Sequence, residues 1–188
     1  MSAPRRAAFL DRDGTLNVKA PEGKYITSPA DLRLLPGAAE AVRRLNDAAM
    51  FVVVVTNQRG IARGLLSPAT HAQIMERLRE LLAQRGAHLD AAYVCPHEVG
   101  SCGCRKPAPG LLFRAESEHP DIDLGQSVTV GDAESDVDAG RGAGTQTIRL
   151  SATPVPSPAD HVVRDLRAAV PLIIGRLTTT KQRLAYVP

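Results

Sequence analysis

The run Phe51–Thr56, four consecutive valines between Phe and Thr, constrains the fold more than any other stretch. A half-exposed strand alternates apolar and polar residues. A continuous β-branched run instead belongs to a strand covered on both faces, the habit of parallel sheets flanked by helices. Further strand candidates are Ala7–Leu10, Ala91–Val94, Ser127–Val130 and Thr145–Leu150. Between them lie helical patterns. Ala38, Ala41, Val42 and Leu45 recur at helical spacing, and Ser67-Pro68 reads as an N-cap with proline at the first helical position, ahead of Ile74, Leu78, Leu81 and Leu82. Two more helices are expected, one from Pro107 or Ala108 to Glu118 and one from Glu134 to Ala143. A short strand and a helix are expected within His161–Gly175. The alternation predicts an α/β fold with a doubly wound, mostly parallel sheet, in which ligands bind beyond the carboxyl ends of the strands.

That rule sorts the polar motifs. Asp11-Arg12-Asp13-Gly14-Thr15 follows the first strand, Thr56-Asn57-Gln58 ends the second, Cys95-Pro96-His97 the third and Gly131-Asp132 the fourth. Side chains two apart on an extended segment point the same way, so Asp11 and Asp13 converge at a strand end. Two carboxylates repel, and a hard cation such as Mg²⁺ relieves the repulsion by taking oxygen ligands. One carboxylate is then free to attack phosphorus and the other to shuttle a proton. Mg²⁺ is expected between Asp11 and Asp132, with a backbone carbonyl near Asp13 as a further ligand. Thr56 and Lys106 are expected on the phosphate oxygens. Taken singly, each has an ordinary alternative. Thr56 suits a strand, Lys106 a surface, Gly131-Asp132 a capping turn, and Asp136 the positive end of the following helix. Their occurrence at successive strand ends is what argues for a site.

Composition narrows the class. The 188 residues are 44% hydrophobic and 23% charged, as in one ordinary globular domain, taken here as 1–176 with a loosely held tail over 177–188. No apolar run approaches the roughly 18–20 residues of a membrane span, and residues 1–6 carry no signal-peptide pattern, so a cytoplasmic protein without a membrane partner is expected. Aromatics are 3% with no Trp, which is poor material for stacking bases, and the net charge of +3 suits a small anionic substrate. No helix shows a sustained heptad, which favours a monomer.

Together, Asp11–Thr15, Thr56–Gln58, Arg105-Lys106-Pro107 and Gly131-Asp132-Ala133-Glu134-Ser135-Asp136 resemble the motifs of the haloacid dehalogenase-type phosphatases, over roughly residues 6–175. The closest resemblance is to the branch acting on histidinol phosphate and heptose bisphosphate. It implies a Rossmann-like core, short insertions in place of a large cap, Mg²⁺ dependence and an aspartyl-phosphate on Asp11. Asp13 would serve as general acid and then base. The family often carries Lys after the Gly-Asp of its last motif, where this chain has Ala133.

All three cysteines fall in Cys95-x-His97-x₄-Cys102-x-Cys104. Three thiolates and one imidazole would satisfy tetrahedral Zn²⁺ with no open position, the pattern of a structural site, the alternative being a loop of reduced thiols with an incidental histidine. The loop 95–104 resembles the zinc loop of the same branch, and Cys104 abuts Arg105 and Lys106. His71, His88 and His119 are expected on the surface.

Substrate choice rests on the insertions. Val18–Asp31 is expected to fold over the entrance, with Lys24-Tyr25-Ile26 facing the substrate. Arg63 and Arg105 are candidates for hydroxyls or a distal phosphate, with Asn57 and Gln58 beside them. The wording Thr56–Gly64 is similar to the heptose-bisphosphate enzymes, which implies removal of the C7 phosphate of D-glycero-D-manno-heptose 1,7-bisphosphate. Histidinol phosphate is the alternative, and Glu22 is the nearby acid that would meet its cation. A polynucleotide end phosphatase and a non-catalytic zinc-stabilised binding module fit less well. The first lacks aromatics, and the second has no use for Asp11, Asp13, Lys106 and Asp132 together.

Overall fold

The computed structural model describes residues 4–183. In chain order the elements are β1 (Ala7–Leu10), α1 (Ala38–Asp47), β2 (Phe51–Asn57), α2 (Arg59–Ala62), α3 (Pro68–Ala83), β3 (Ala91–Cys95), α4 (Gly110–Glu118), β4 (Val128–Gly131), α5 (Glu134–Gly142), β5 (Gln146–Leu150), β6 (His161–Val163) and α6 (Leu166–Arg183). The strands form one six-stranded sheet in the order β3-β2-β1-β4-β5-β6. Every pairing is parallel. β1 lies at the centre, with Leu10 in register with Val54 on one side and Val130 on the other.

The valine run behaves as its composition requires. Ala8, Leu10, Val52, Val54, Val128 and Val130 join the core shared with α1, α3 and α6. Ala7, Phe9, Phe51, Val53 and Val55 face the opposite core, shared with α4 and α5. Each fully buried Val or Leu contributes about 1.5–3 kcal/mol. Because all strands run the same way, the last residues of β1 to β4 lie along one edge of the sheet, and their polar successors share a rim.

Helix starts follow local chemistry. Ser67 Oγ accepts the Thr70 N–H at 3.0 Å ahead of Pro68. Asp165 Oδ1 accepts the Ala168 N–H at 3.0 Å at the head of α6. Several boundaries differ by a residue or more from the pattern in the sequence, and two of them have a visible cause. β4 starts at Val128, because the Ser127 hydroxyl takes the Ala7 N–H at 2.9 Å in place of a ladder bond. α4 starts at Gly110, because Arg105–Pro109 is spent on a turn closed by Ala108 N–H to Arg105 O at 2.8 Å. α6 continues to Arg183, into the segment 177–188 read as a tail, whose residues 184–188 lie outside the described residues. No helix among the described residues is long and apolar enough to cross a membrane.

Val18–Asp31 contains one short 3₁₀ turn, Pro29–Asp31, and is pinned at its base. Val18 N–H bonds to Arg33 O at 2.8 Å, and Leu35 N–H to Leu16 O at 2.9 Å. The Tyr25 ring rests on Gly60 of α2, where a Cβ would fall 3.0 Å from it. This flap therefore leans onto α2, which follows β2.

The Ala168 N–H is the chief cause holding the Asp165 carboxyl below its usual range. Its contribution is therefore present above the ordinary carboxylate range and lost as pH falls through the lowered value. Asp165→Ala is expected to cost about 1 kcal/mol in urea unfolding at neutral pH. The gap to the parent chain should narrow in acid.

Candidate active site

At the rim the four strand ends deliver one cluster. Asp11 directly follows β1, anchored by its N–H to Val130 O at 2.9 Å. Its carboxylate, with those of Asp132 and Asp136, forms a group whose oxygens lie within 4.8 Å of one another. Lys106 stands among them, 4% exposed. Its Nζ donates to Asp11 Oδ1 at 2.6 Å and Val55 O at 2.7 Å, and pairs with Asp136 Oδ1 at 2.6 Å. Burial pushes the Asp11 carboxyl up to about 6. Lys106 pulls it back and Asp136 adds to the rise. Burial also works against the Lys106 charge, but Asp11 and Asp136 outweigh it and raise its pKa.

Gly14 and Gly131 make the crowding possible. A Cβ on Gly14 (φ 94°) would overlap the Asp132 carboxylate, and one on Gly131 the Asp136 carboxylate. The donor set is all oxygen, anionic and at a strand edge, which fits a hard divalent cation such as Mg²⁺. Asp136 belongs to it. In the sequence this residue reads as a partner of the helix dipole, and its Oδ2 does accept the Ala133 N–H at 3.1 Å. Its other oxygen is the one that reaches the cluster. The spacing Asp132-x₃-Asp136 across a strand-to-helix turn was the available signal, since residues on a helix's first turn point back over the strand end.

The Asp13 carboxylate faces a different set. Arg12 Nη2 donates to it at 2.8 Å, Asn17 Nδ2 at 2.9 Å and Gln58 Nε2 at 2.8 Å. Burial alone would raise its pKa. Arg12 first, then the Asn17 and other hydrogen bonds, more than reverse this and hold it below the usual range. Gln58 Nε2 also donates to Thr56 Oγ1 at 2.8 Å, so the Thr56 proton is left to point elsewhere. Asn57 does not reach the cluster. Its Nδ2 donates to Lys106 O at 3.0 Å and its Oδ1 accepts the Lys106 N–H at 3.1 Å, which clamps the lysine's backbone to the end of β2.

The four sulfur and nitrogen ligands of the loop after β3 converge. Cys95 and Cys102 sulfurs are 3.6 Å apart, and Cys102 and Cys104 3.4 Å. His97 Nδ1 is 3.6 Å from the Cys95 sulfur and 3.3 Å from that of Cys104. Tetrahedral zinc with ordinary bond lengths needs edges of about 3.6–3.8 Å. The cluster therefore fits Zn²⁺ closely. Cys95 itself ends β3 inside the second core. The same loop is tied to the one after β2, by Gln58 N–H to Cys95 O at 2.8 Å and Ala62 N–H to Pro96 O at 3.1 Å.

Arg63 is half-exposed and lies 3.4 Å from Glu98 of the cysteine loop, which Arg59 also pairs with. Arg105 is half-buried, with Nη1 enclosed and without a hydrogen-bond partner, next to Lys106 in the chain. His71 corrects the expectation of a surface residue. It is 7% exposed, because it sits three and seven residues before Ile74 and Leu78 on the inward face of α3. Burial pushes it down to about 4, with Arg12 adding to the fall. His88 is exposed, and His119 is half-buried against the Phe51 ring at 4.7 Å.

Comparison with known proteins agrees with this geometry. The family model described as polynucleotide kinase 3 phosphatase matches residues 6–171. A Thermosynechococcus vestitus protein named D-glycero-D-manno-heptose-1,7-bisphosphate 7-phosphatase is 41% identical, over 93% of this chain and 98% of its own. The D-glycero-beta-D-manno-heptose-1,7-bisphosphate 7-phosphatase of Rhodopseudomonas palustris is 36% identical, over 90% and 97%. Among solved structures, the D,D-heptose 1,7-bisphosphate phosphatase of B. bronchiseptica, complexed with magnesium and phosphate, superposes with a TM-score of 0.80 at 33% identity. That alignment covers 91% of this chain and 99% of the other.

The two arginine-loop and clamp residues make a contrast. Asn57→Ala strips both partners from a buried backbone segment and is expected to destabilise by about 2 kcal/mol in urea unfolding. Arg63→Ala removes a half-exposed pair and is expected to change stability by less than about 0.5 kcal/mol.

Proposed function

The chain belongs to the haloacid dehalogenase-type phosphatases, and from that membership we propose that it removes the C7 phosphate of D-glycero-D-manno-heptose 1,7-bisphosphate. The observation that carries the reading is the buried Asp11 beside Lys106 at the rim, with Asp132 and Asp136 within metal-bridging distance. Relatives over nearly the whole chain supply the substrate.

Asp11, Asp132 and Asp136 would hold Mg²⁺, with the backbone carbonyl of Asp13 as a further ligand. When bound, the ion screens the carboxylates from one another and from the phosphate. An Asp11 carboxylate oxygen attacks phosphorus, an acyl-phosphate bond forms, and the bond from phosphorus to the C7 oxygen breaks. Asp13 gives its proton to the departing oxygen. Water then attacks phosphorus, Asp13 takes a proton from it, and inorganic phosphate leaves with Asp11 restored. The three donors on Asp13 suit the base role. The negative charge of an arriving phosphate group favours the protonated form needed for the acid role. Thr56 and Lys106 would hold the non-bridging oxygens, Lys106 by exchanging one of its three present acceptors. Arg105, with an unpartnered nitrogen, and Arg63 would meet the sugar hydroxyls or the second phosphate. Asn57 and Gln58 act one step back, holding Lys106 and Asp13.

Zn²⁺ at Cys95, His97, Cys102 and Cys104 would be structural, fixing the stretch that leads to Arg105 and Lys106. A reduced thiolate site suits the cytoplasm, and we take the enzyme to act there as a monomer on a small sugar phosphate, without nucleic acid.

Phosphate release should be fastest from heptose 1,7-bisphosphate when both anomers, histidinol phosphate and a 3′-phosphorylated oligonucleotide are compared at equal concentration with Mg²⁺. Asp11→Asn should reduce kcat by about 10³-fold or more. Preference for histidinol phosphate or the oligonucleotide would replace the substrate, and an unimpaired Asp11→Asn would remove the mechanism. Elemental analysis should find one zinc per chain, lost in Cys102→Ser together with thermal stability.

A further inference from the structure

The charges around the acidic cluster balance within its motifs only while a divalent cation is bound and no phosphate is present. Lys106 lies between Asp11 and Asp136. Arg12 is turned to Asp13. Three carboxylates are balanced by Lys106 and one divalent cation together. A phosphate ester then arrives with two further negative charges, and Asp132 still needs a partner whenever the metal is away. Position 133, next to Asp132, is alanine and brings no charge.

Lys19 fills this gap. Its Nζ lies 2.9 Å from Asp132 Oδ2, the ion pair that Asp132 makes among the described residues. Asp11 and Asp136 also act on its charge. The residue stands at the root of the flap, where the chain is pinned. Asn17 Nδ2 donates both to Asp13 Oδ1 and to Val18 O, each at 2.9 Å. The Lys19 backbone is thereby held beside the cluster, while its side chain is 57% exposed and free to swing on a long stem.

We propose that Lys19 is a phosphate-binding residue that guards Asp132 in the free site and moves to the phosphoryl oxygens once substrate and metal are in place. This deepens the phosphatase reading and rests on it. A lysine that pairs with a metal-holding carboxylate competes with the cation, yet favours the anion. Its removal must therefore shift the two affinities in opposite directions, which loss of structure cannot do.

The test measures binding without turnover, by titrating the whole chain with Mg²⁺ alone and then with inorganic phosphate at saturating Mg²⁺. Lys19→Gln should bind Mg²⁺ about fivefold more tightly and phosphate about fivefold more weakly, the range of a partly exposed charge pair. Lys19→Arg should stay near the parent chain. Lys19→Gln combined with Ala133→Lys should recover phosphate affinity, because the charge returns from the other side of Asp132. The proposal is overturned if Lys19→Gln leaves both affinities within about twofold, or if both weaken together. A parent chain that hydrolyses no phosphate ester, with these opposed shifts intact, would instead sink the phosphatase reading alone.

Discussion

The structure depends on the burial of one ammonium group between two carboxylates. Lys106 reaches Asp11, Asp136 and the Val55 carbonyl at once, and so joins β1, β2, α5 and the 105–109 turn. Without it, Asp11 and Asp136 would be two anions in a site closed to water, an arrangement that proteins avoid by protonating one of them. Such a buried ionic network adds little net stability over an apolar core. Here it fixes where three strand-end groups stand relative to one another. Asp11 is kept at the strand end, where burial raises its carboxyl pKa to about 6 and Lys106 offsets part of the rise.

Placing that ammonium is the work of residues some way from the acidic cluster. Asn57 clamps the lysine's own peptide group from the end of β2. The cysteine loop ends two residues before it, and two backbone bonds tie that loop to the segment after β2. Glu98 adds ion pairs to Arg59 and Arg63 across the same seam. The loop that leads to Arg105 and Lys106 is thus held to the end of β2 by backbone bonds and ion pairs. The flap is pinned through Asn17 to Asp13, so the second carboxylate of the first motif is also tied to a flanking segment.

Much of this was legible in the residues. The strand ends were marked by Asp11, Thr56, Cys95 and Asp132, because parallel strands read as apolar runs and whatever polar residue follows lies on the rim. The zinc-fitting cluster was legible from Cys95, His97, Cys102 and Cys104, since few other uses explain all of them. Asp136 was harder, because a carboxylate in a helix's first turn has a local explanation that hides a longer-range one. Asn57 and Gln58 read as substrate contacts, and the structure shows what else they hold, the Lys106 peptide group and the Asp13 carboxylate, which depends on which way each amide points. His71 read as a surface residue, although its spacing to Ile74 and Leu78 already placed it on the buried face of α3.

By itself the sequence determined the alternation of strands and helices, the double-sided burial of β2 and the residue types presented at the rim. These follow from periodicity and side-chain chemistry over a few neighbouring positions, which act before any distant contact forms. The tertiary structure alone decided the partners. Lys106 and Asp11 are separated by 95 residues and meet at 2.6 Å only because β1, β2 and β4 lie side by side. Lys19 and Asp132 are 113 residues apart and meet through the root of the flap. Which carboxylate receives which cation is set by distances below about 3 Å and by the loss of water around them, and no local pattern encodes either.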